Sequence, residues 1–195
     1  MLKRIALALA ATISLSGPAA AAPRGLDAAH ASLYNTLVGN GVEVYINPSI
    51  ACEDPEYKDL AGAYFYAEDE RTPVLFICQD NRTGRDGVEV VWTENDLDTL
   101  RHESMHYIHD CIDGDVSFTL TPFFDGPGGA PGDATYLDII SALGMEQALE
   151  ISEWYSQKMG ADAHIIRLEH EAFLVARDID AGELANTIST FCPIN

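Results

Sequence analysis

The sequence predicts an α+β fold, in which a helix precedes a small antiparallel sheet and a long helix and further C-terminal helices follow it. Three observations lead there. Apolar and polar side chains alternate in short runs between residues 42 and 78, helical spacing dominates after residue 93, and the strand-like runs come first with the helical ones after them.

The first 21 residues stand apart from this pattern. Lys3 and Arg4 precede an apolar stretch from Ile5 to Leu15, and small residues from Gly17 to Ala22 follow with an Ala-x-Ala processing pattern. That order reads as a secretory signal peptide cleaved after Ala21. Its apolar stretch is shorter than the about 20 residues a membrane-spanning helix needs. Residues 22–195 then form one exported domain, periplasmic or secreted and free of the membrane after cleavage.

The elements of that domain follow in order. Residues 27–38 carry apolar positions at helical spacing and stop at Gly39-Asn40-Gly41, a turn signal. Val42, Val44 and Ile46 alternate with polar neighbours before Pro48, as in a half-buried strand. Ala61 to Tyr66 and Val74 to Cys78 are two further strands, with Glu68 to Arg71 as a hairpin tip, and Val88 to Trp92 reads as a short additional strand. Thr93 or Asn95 caps a long helix whose first turn holds Glu94, Asp96 and Asp98, acidic as the helix dipole favours. It is expected to reach about Ile112 and end at Gly114. Asp125 to Asp133, rich in Gly and Pro, reads as a surface loop. Helices are expected near Tyr136 to Leu143, Met145 to Met159, His164 to Asp178 and Ala181 to Phe191.

Composition narrows the classes of partner. The chain has 11 basic and 31 acidic residues, a net charge of −20, and loss of the signal takes two of the cations and leaves −22. Nucleic acid and anionic membrane surfaces repel such a chain. The acidity suits attraction of basic peptides or divalent metal, and equally a coat that keeps an exported protein in solution. Cys52, Cys78, Cys111 and Cys192 are even in number and include no Cys-x-x-Cys pair, so two disulfides are expected rather than a thiolate metal site. The expected pairs are Cys52 with Cys78 and Cys111 with Cys192, since each would join elements the fold already brings close.

The chemistry is concentrated in Arg101-His102-Glu103-Ser104-Met105-His106, an HExxH motif in the middle of the predicted long helix. Histidines four apart project from one helix face a turn apart, so their imidazoles can hold a single zinc ion. Glu103 follows the first of them and in this motif serves as the general base for water. Zinc needs a third protein ligand and an open position. A continuation with Gly at 109 and His at 112 is excluded, because the chain has His109 and Ile112 there. The third ligand is then sought on a later helix, within Leu168 to Ala176. Glu169 shares a face with Ile165, Ala172, Phe173 and Ala176, where small residues allow close approach. Glu171 is the alternative, on a stripe nearer Arg167 and Asp178 that reads as more solvated.

HExxH followed by Glu-x-x-Ala on a later helix resembles the gluzincin metallopeptidases, and the order of helix, small sheet and two helices resembles their minimal single-domain members. The resemblance spans about residues 27–178 and rests on His102, Glu103, His106, Glu169 and Ala172. It implies a zincin-like domain with zinc on His102, His106 and Glu169, Glu103 as general base, and a peptide or protein substrate laid along an edge of the sheet. One position departs from it. Many gluzincins carry Asp four residues after the glutamate ligand to support a histidine, and Phe173 stands there instead, so Asp98 or Asp110 would have to orient the imidazoles. His109 reads as pocket-lining or surface. His164, His170 and Tyr155 are candidates for stabilising an oxyanion. Trp92, Trp154 and Tyr64-Phe65-Tyr66 read as core and sheet packing. The competing class is an exported, acidic, disulfide-stapled binding protein whose zinc is structural and closed off by four protein ligands.

Overall fold

The computed structural model describes residues 22–55, 59–67, 72–82, 91–112, 120–125 and 133–192. The proposed signal peptide, the hairpin tip at Glu68 to Arg71, residues 88–90 of the additional strand and most of the glycine-rich loop lie outside them. Val91 and Trp92 are described and belong to no strand.

The fold is α+β. Ala28–Gly39 (α1) begins at Asp27, whose carboxylate accepts the His30 N–H at 3.0 Å, and leads into Glu43–Ile46 (β1). A short helix, Ser49–Cys52 (α2), was not anticipated. Gly62–Tyr66 (β2) and Pro73–Ile77 (β3) complete a three-stranded sheet in the order β1-β3-β2.

The sheet is mixed, which corrects the expectation of an antiparallel one. β2 and β3 form the expected antiparallel pair, with Gly62 opposite Ile77, but β1 lies parallel to β3, with Val44 beside Leu75. The reason lies in the connection. Residues 47–61, carrying α2, separate β1 from β2 and leave the far edge of β3 for β1, whereas a tight hairpin would have joined neighbours. β3 is buried along its whole length, as suits a central strand written Pro-Val-Leu-Phe-Ile without alternation. Asn47, in the left-handed region at φ 54°, locks the end of β1 to that of β3 through two bonds with Gln79, of 2.9 and 2.8 Å.

Glu94–Cys111 (α3) runs through the middle of the molecule. Thr93 caps it in a capping box with Asp96, and Asp80 accepts from both the Thr93 hydroxyl and Asn95. Every residue from His102 to Cys111 is buried, polar ones included, so a helix patterned as amphipathic is enclosed on all sides in its second half. Asp133–Leu143 (α4) and Met145–Trp154 (α5) join at Gly144, whose φ of 89° suits glycine. A π-helical turn, Tyr155–Met159, follows α5 directly. Ala163–Asp178 (α6) starts at Asp162 and packs along α3, and Ala181–Phe191 (α7) packs against α1 and α3. Leu33, Leu37, Leu75, Leu100, Ile108 and Ile188, all fully buried, anchor the main apolar core between these helices and the sheet.

Both disulfides form as expected. Cys52–Cys78 ties α2 to the end of β3 with a Cα separation of 5.4 Å, and Cys111–Cys192 ties the ends of α3 and α7 at 5.2 Å. Two such bridges suit an oxidising compartment. Among the described residues no helix is long and apolar enough to cross a membrane.

Because Cys111 and Cys192 are 81 residues apart, their bridge strongly restricts the unfolded chain. Replacing both by alanine is expected to lower unfolding free energy by about 4 kcal/mol. Urea denaturation measures it, and an unchanged midpoint would contradict this role for the bridge.

Candidate metal centre

His102 and His106 extend from one face of α3, and Glu169 reaches them from α6. The His102 and His106 Nε2 atoms are 3.2 Å apart. One Glu169 oxygen lies 3.1 Å from His102 Nε2 and the other 3.5 Å from His106 Nε2. All three residues are buried, at 7–8% exposure. Ligands held tetrahedrally at roughly 2.0–2.1 Å from an ion stand about 3.3 Å from one another, so this donor set fits a metal and could hold one. Of the two carboxylates considered from the sequence, the structure brings Glu169 to the histidines and leaves Glu171 elsewhere.

Local packing explains the convergence. Ala172 and Ala176, both buried, keep α6 close to α3. Arg101 clamps three helices: its Nε donates to the Ala176 carbonyl at 2.7 Å, one terminal nitrogen meets His30 Nε2 at 2.8 Å, and the other pairs with Asp98. On the sheet side Gly62 lets β2 run directly against α3. A Cβ at that position would stand 2.7 Å from Thr99 Cγ2 and 2.8 Å from the Phe76 carbonyl, and 3.2 Å from Glu103 Cγ.

Charge within the cluster follows from burial and proximity. Burial opposes ionisation of Glu169, but His106 and His102 outweigh it and hold the carboxyl well below the ordinary carboxylate range. Burial likewise opposes the charged form of His106, yet the Glu169 carboxylate and Glu103 raise its pKa above the ordinary value. Glu103 is pushed up by burial, an effect that Glu169 reinforces and the two histidines and the Tyr64 N–H oppose.

Two cavities meet at this point. A cleft of about 460 Å³ opens onto His102 and Glu103 between Leu60, Asp98, Trp154, Phe173 and Arg177. A smaller one of about 100 Å³ reaches His106 and Glu169 past Tyr64, Phe65 and Ile165. Tyr155, on the π-helical turn, borders both.

The surroundings revise several expectations. Asp98 pairs with Arg101, and Asp110 accepts from the hydroxyls of Tyr64 and Tyr66. The ring of His109 stands beside that of His106: its Nδ1 lies 3.4 Å from His106 Nδ1 and its Nε2 lies 3.1 Å from Glu171. His109 and Glu171 are both fully buried, where the sequence suggested a surface or pocket position for one and a solvated stripe for the other. The reason is that α6 is covered by α3 on one side and by α4 and α5 on another, so its second stripe is also internal. Burial pushes the Glu171 carboxyl up to about 7, and burial also holds His109 well below the ordinary histidine value. Phe173 sets its ring edge against His102, centroids 4.6 Å apart, and Trp154 borders the cleft.

Of the three oxyanion candidates, two are engaged away from the metal donors. His170 bonds Tyr136 and the Ala148 carbonyl at 2.8 and 3.0 Å, and His164 bonds the Leu120 carbonyl at 2.9 Å. Tyr155 instead borders both cavities, where burial and the nearby Glu169 carboxylate push its hydroxyl pKa well above the ordinary tyrosine value. Comparison with protein-family models, with curated proteins and with solved structures finds no match, so the reading of this site stands on its own residues.

The ion pair of His106 with Glu169 gives the metal-free protein a dependence on pH. A raised histidine pKa adds stability that is complete below the ordinary value of 6.5 and lost as pH rises through the raised one. The lowered Glu169 pKa adds stability above the ordinary 4.5 that is lost as pH falls towards its depressed value. Melting temperature of the chelator-treated protein is therefore expected to fall on both sides of a mildly acidic maximum. Metal should remove the alkaline loss and release protons on binding. Calorimetric titration in buffers of different ionisation enthalpy counts them, and uptake near pH 6 without proton release would contradict a protonated His106.

Proposed function

We propose that the chain is an exported zinc metallopeptidase resembling the gluzincins, with His102, His106 and Glu169 as ligands and Glu103 as general base. The observation that carries the proposal is the convergence of three buried donors at zinc-like spacing beside a buried carboxylate that faces an open cleft. Zinc is favoured over harder cations because two of the three donors are imidazole nitrogens. Held there, zinc supplies a Lewis acid that polarises a carbonyl and makes water reactive near neutral pH.

The chain's own residues do the rest. Glu103 accepts a proton from water as the water oxygen bonds to the scissile carbonyl carbon. It then delivers that proton to the amine nitrogen as the C–N bond breaks. A pKa raised by burial suits a group that must both take and return a proton. The Tyr155 hydroxyl, at the junction of both cavities, is the donor available to the carbonyl oxygen as it gains negative charge. Among the described residues β2 is an edge strand bordering the site, so an extended peptide can add to it through main-chain bonds. A cleft reaching His102, together with three protein donors, supports an open site rather than the closed one a structural metal requires. The two disulfides support export.

Substitution separates binding from turnover. Glu103→Gln is expected to keep stoichiometric zinc, read by plasma emission, while cleavage of a fluorogenic peptide library falls by about 10²–10⁴-fold. Turnover retained in that variant would sink the mechanism. Tyr155→Phe is expected to lower kcat by about 10²-fold with a smaller change in KM. An equal loss in KM would assign Tyr155 to substrate binding instead.

A further inference from the structure

We infer that His109 is a positioning residue that fixes the tautomer and ring orientation of His106, with Glu171 fixing His109 in turn. The inference rests on the proposed role of His106 as a ligand and adds two residues that no part of the HExxH pattern contains.

The argument follows the protons. His106 turns its Nε2 towards His102 and Glu169, so a metal there takes the Nε2 lone pair. A neutral imidazole carries one N–H, which must then sit on Nδ1. That Nδ1 faces His109 Nδ1 at 3.4 Å. Two nitrogens that face each other cannot both donate, so His109 Nδ1 is bare and accepts, and the proton of His109 sits on Nε2. His109 Nε2 lies 3.1 Å from Glu171 Oε2, an acceptor, and the Phe123 N–H donates to the same oxygen at 2.8 Å. Among the alternatives, only one arrangement of protons satisfies every link from the metal donors to Glu171.

Burial makes the arrangement strict. His109 and Glu171 are fully shielded from solvent, so water cannot replace a lost partner on either. The chain after α3 holds His109 from the other side as well, because the Thr121 N–H donates to its carbonyl at 2.7 Å. His109 therefore occupies the place usually taken by a carboxylate or carbonyl beside a ligating histidine, and relays the constraint from Glu171 one ring further.

Cobalt(II) added to the metal-free full chain tests the relay, since it reports both affinity and the exchangeable Nδ1 protons of ligating histidines by paramagnetically shifted resonances. The wild type is expected to bind one cobalt and show such a resonance for His106. His109→Leu is expected to bind cobalt about 10–100-fold more weakly, with the His106 resonance lost to exchange or displaced and that of His102 kept. His109→Asn, whose Oδ1 can accept from His106, should recover most of the affinity. Glu171→Leu should resemble His109→Leu, and Glu171→Gln, which keeps a carbonyl acceptor, should resemble the wild type; this pair decides the matter if His109→Leu fails to fold. A wild type that binds no cobalt overturns the metal reading and this inference with it. A wild type that binds cobalt, beside leucine variants of unchanged affinity and unchanged His106 resonance, overturns the relay alone.

Discussion

Helices α3 and α6 meet along a seam that is polar where most helix contacts are apolar, and the rest of the molecule is arranged to make that seam tolerable. His102, His106 and His109 come from one side and Glu169 and Glu171 from the other, all of them buried. Isolated in such a place, each would carry a desolvation penalty of several kcal/mol. None is isolated: Glu169 faces two imidazoles and Glu171 faces a third. Ala172 and Ala176 set the distance that makes these pairs possible. Larger residues there would hold the carboxylates away from the imidazoles and break the pairs of Glu169 with His102 and His106 and of Glu171 with His109. Apolar packing elsewhere, centred on Leu33, Leu75, Leu100 and Ile188, supplies the stability that the seam does not.

The restraints on α3 are distributed along its length in a way that serves the seam. Asp80 and the capping box hold its first turn, Arg101 joins it to α1 and α6 at mid-length, Asp110 receives Tyr64 and Tyr66 from β2, and the Cys111–Cys192 bridge closes its end. The two tyrosines belong to the same strand whose Gly62 lies against Glu103. The edge strand and the general-base candidate are thus fixed to one helix, and their spacing cannot drift independently.

Much of this could be read before the structure was known, and the limits have physical causes. Helix limits on α1, α3, α6 and α7 were readable from helical spacing and turn signals, with Thr93 as a cap for α3, and the structure adds Asp27, Asp162 and Asp180 as caps for the others. His102 and His106 were readable because ligand spacing on one helix is a local property, Glu169 because it shares a helix face with Ala172 and Ala176, and both disulfides agree with the pairs expected. The sheet's parallel pair was not, since strand direction depends on where the connection through α2 passes, which no local pattern records. His109 and Glu171 were missed because one helical stripe was assigned to the interior and the others to solvent. Residues of α6 lie between α3 on one side and α4 and α5 on another, and α3 is enclosed throughout its second half, so periodicity loses its meaning there. The remaining signal was the i+3 spacing of His109 from His106, which is uninformative until Glu171 is known to face it.

The enclosure of α3 also divides the site into a wet side and a dry one. Glu103 and Tyr155 border cavities, where a proton can be exchanged with water or substrate. His109 and Glu171 border none of these: His109 bonds His106 and Glu171, and Glu171 accepts from the Phe123 backbone. A helix turns about 100° per residue, so Glu103 and His109, six positions apart, point in directions about 120° away from each other. Proton transfer requires a group whose proton can leave, and ligand orientation requires one whose proton cannot. On the proposed reading, placing the first kind towards the cleft and the second towards the core lets a single helix carry both without either compromising the other.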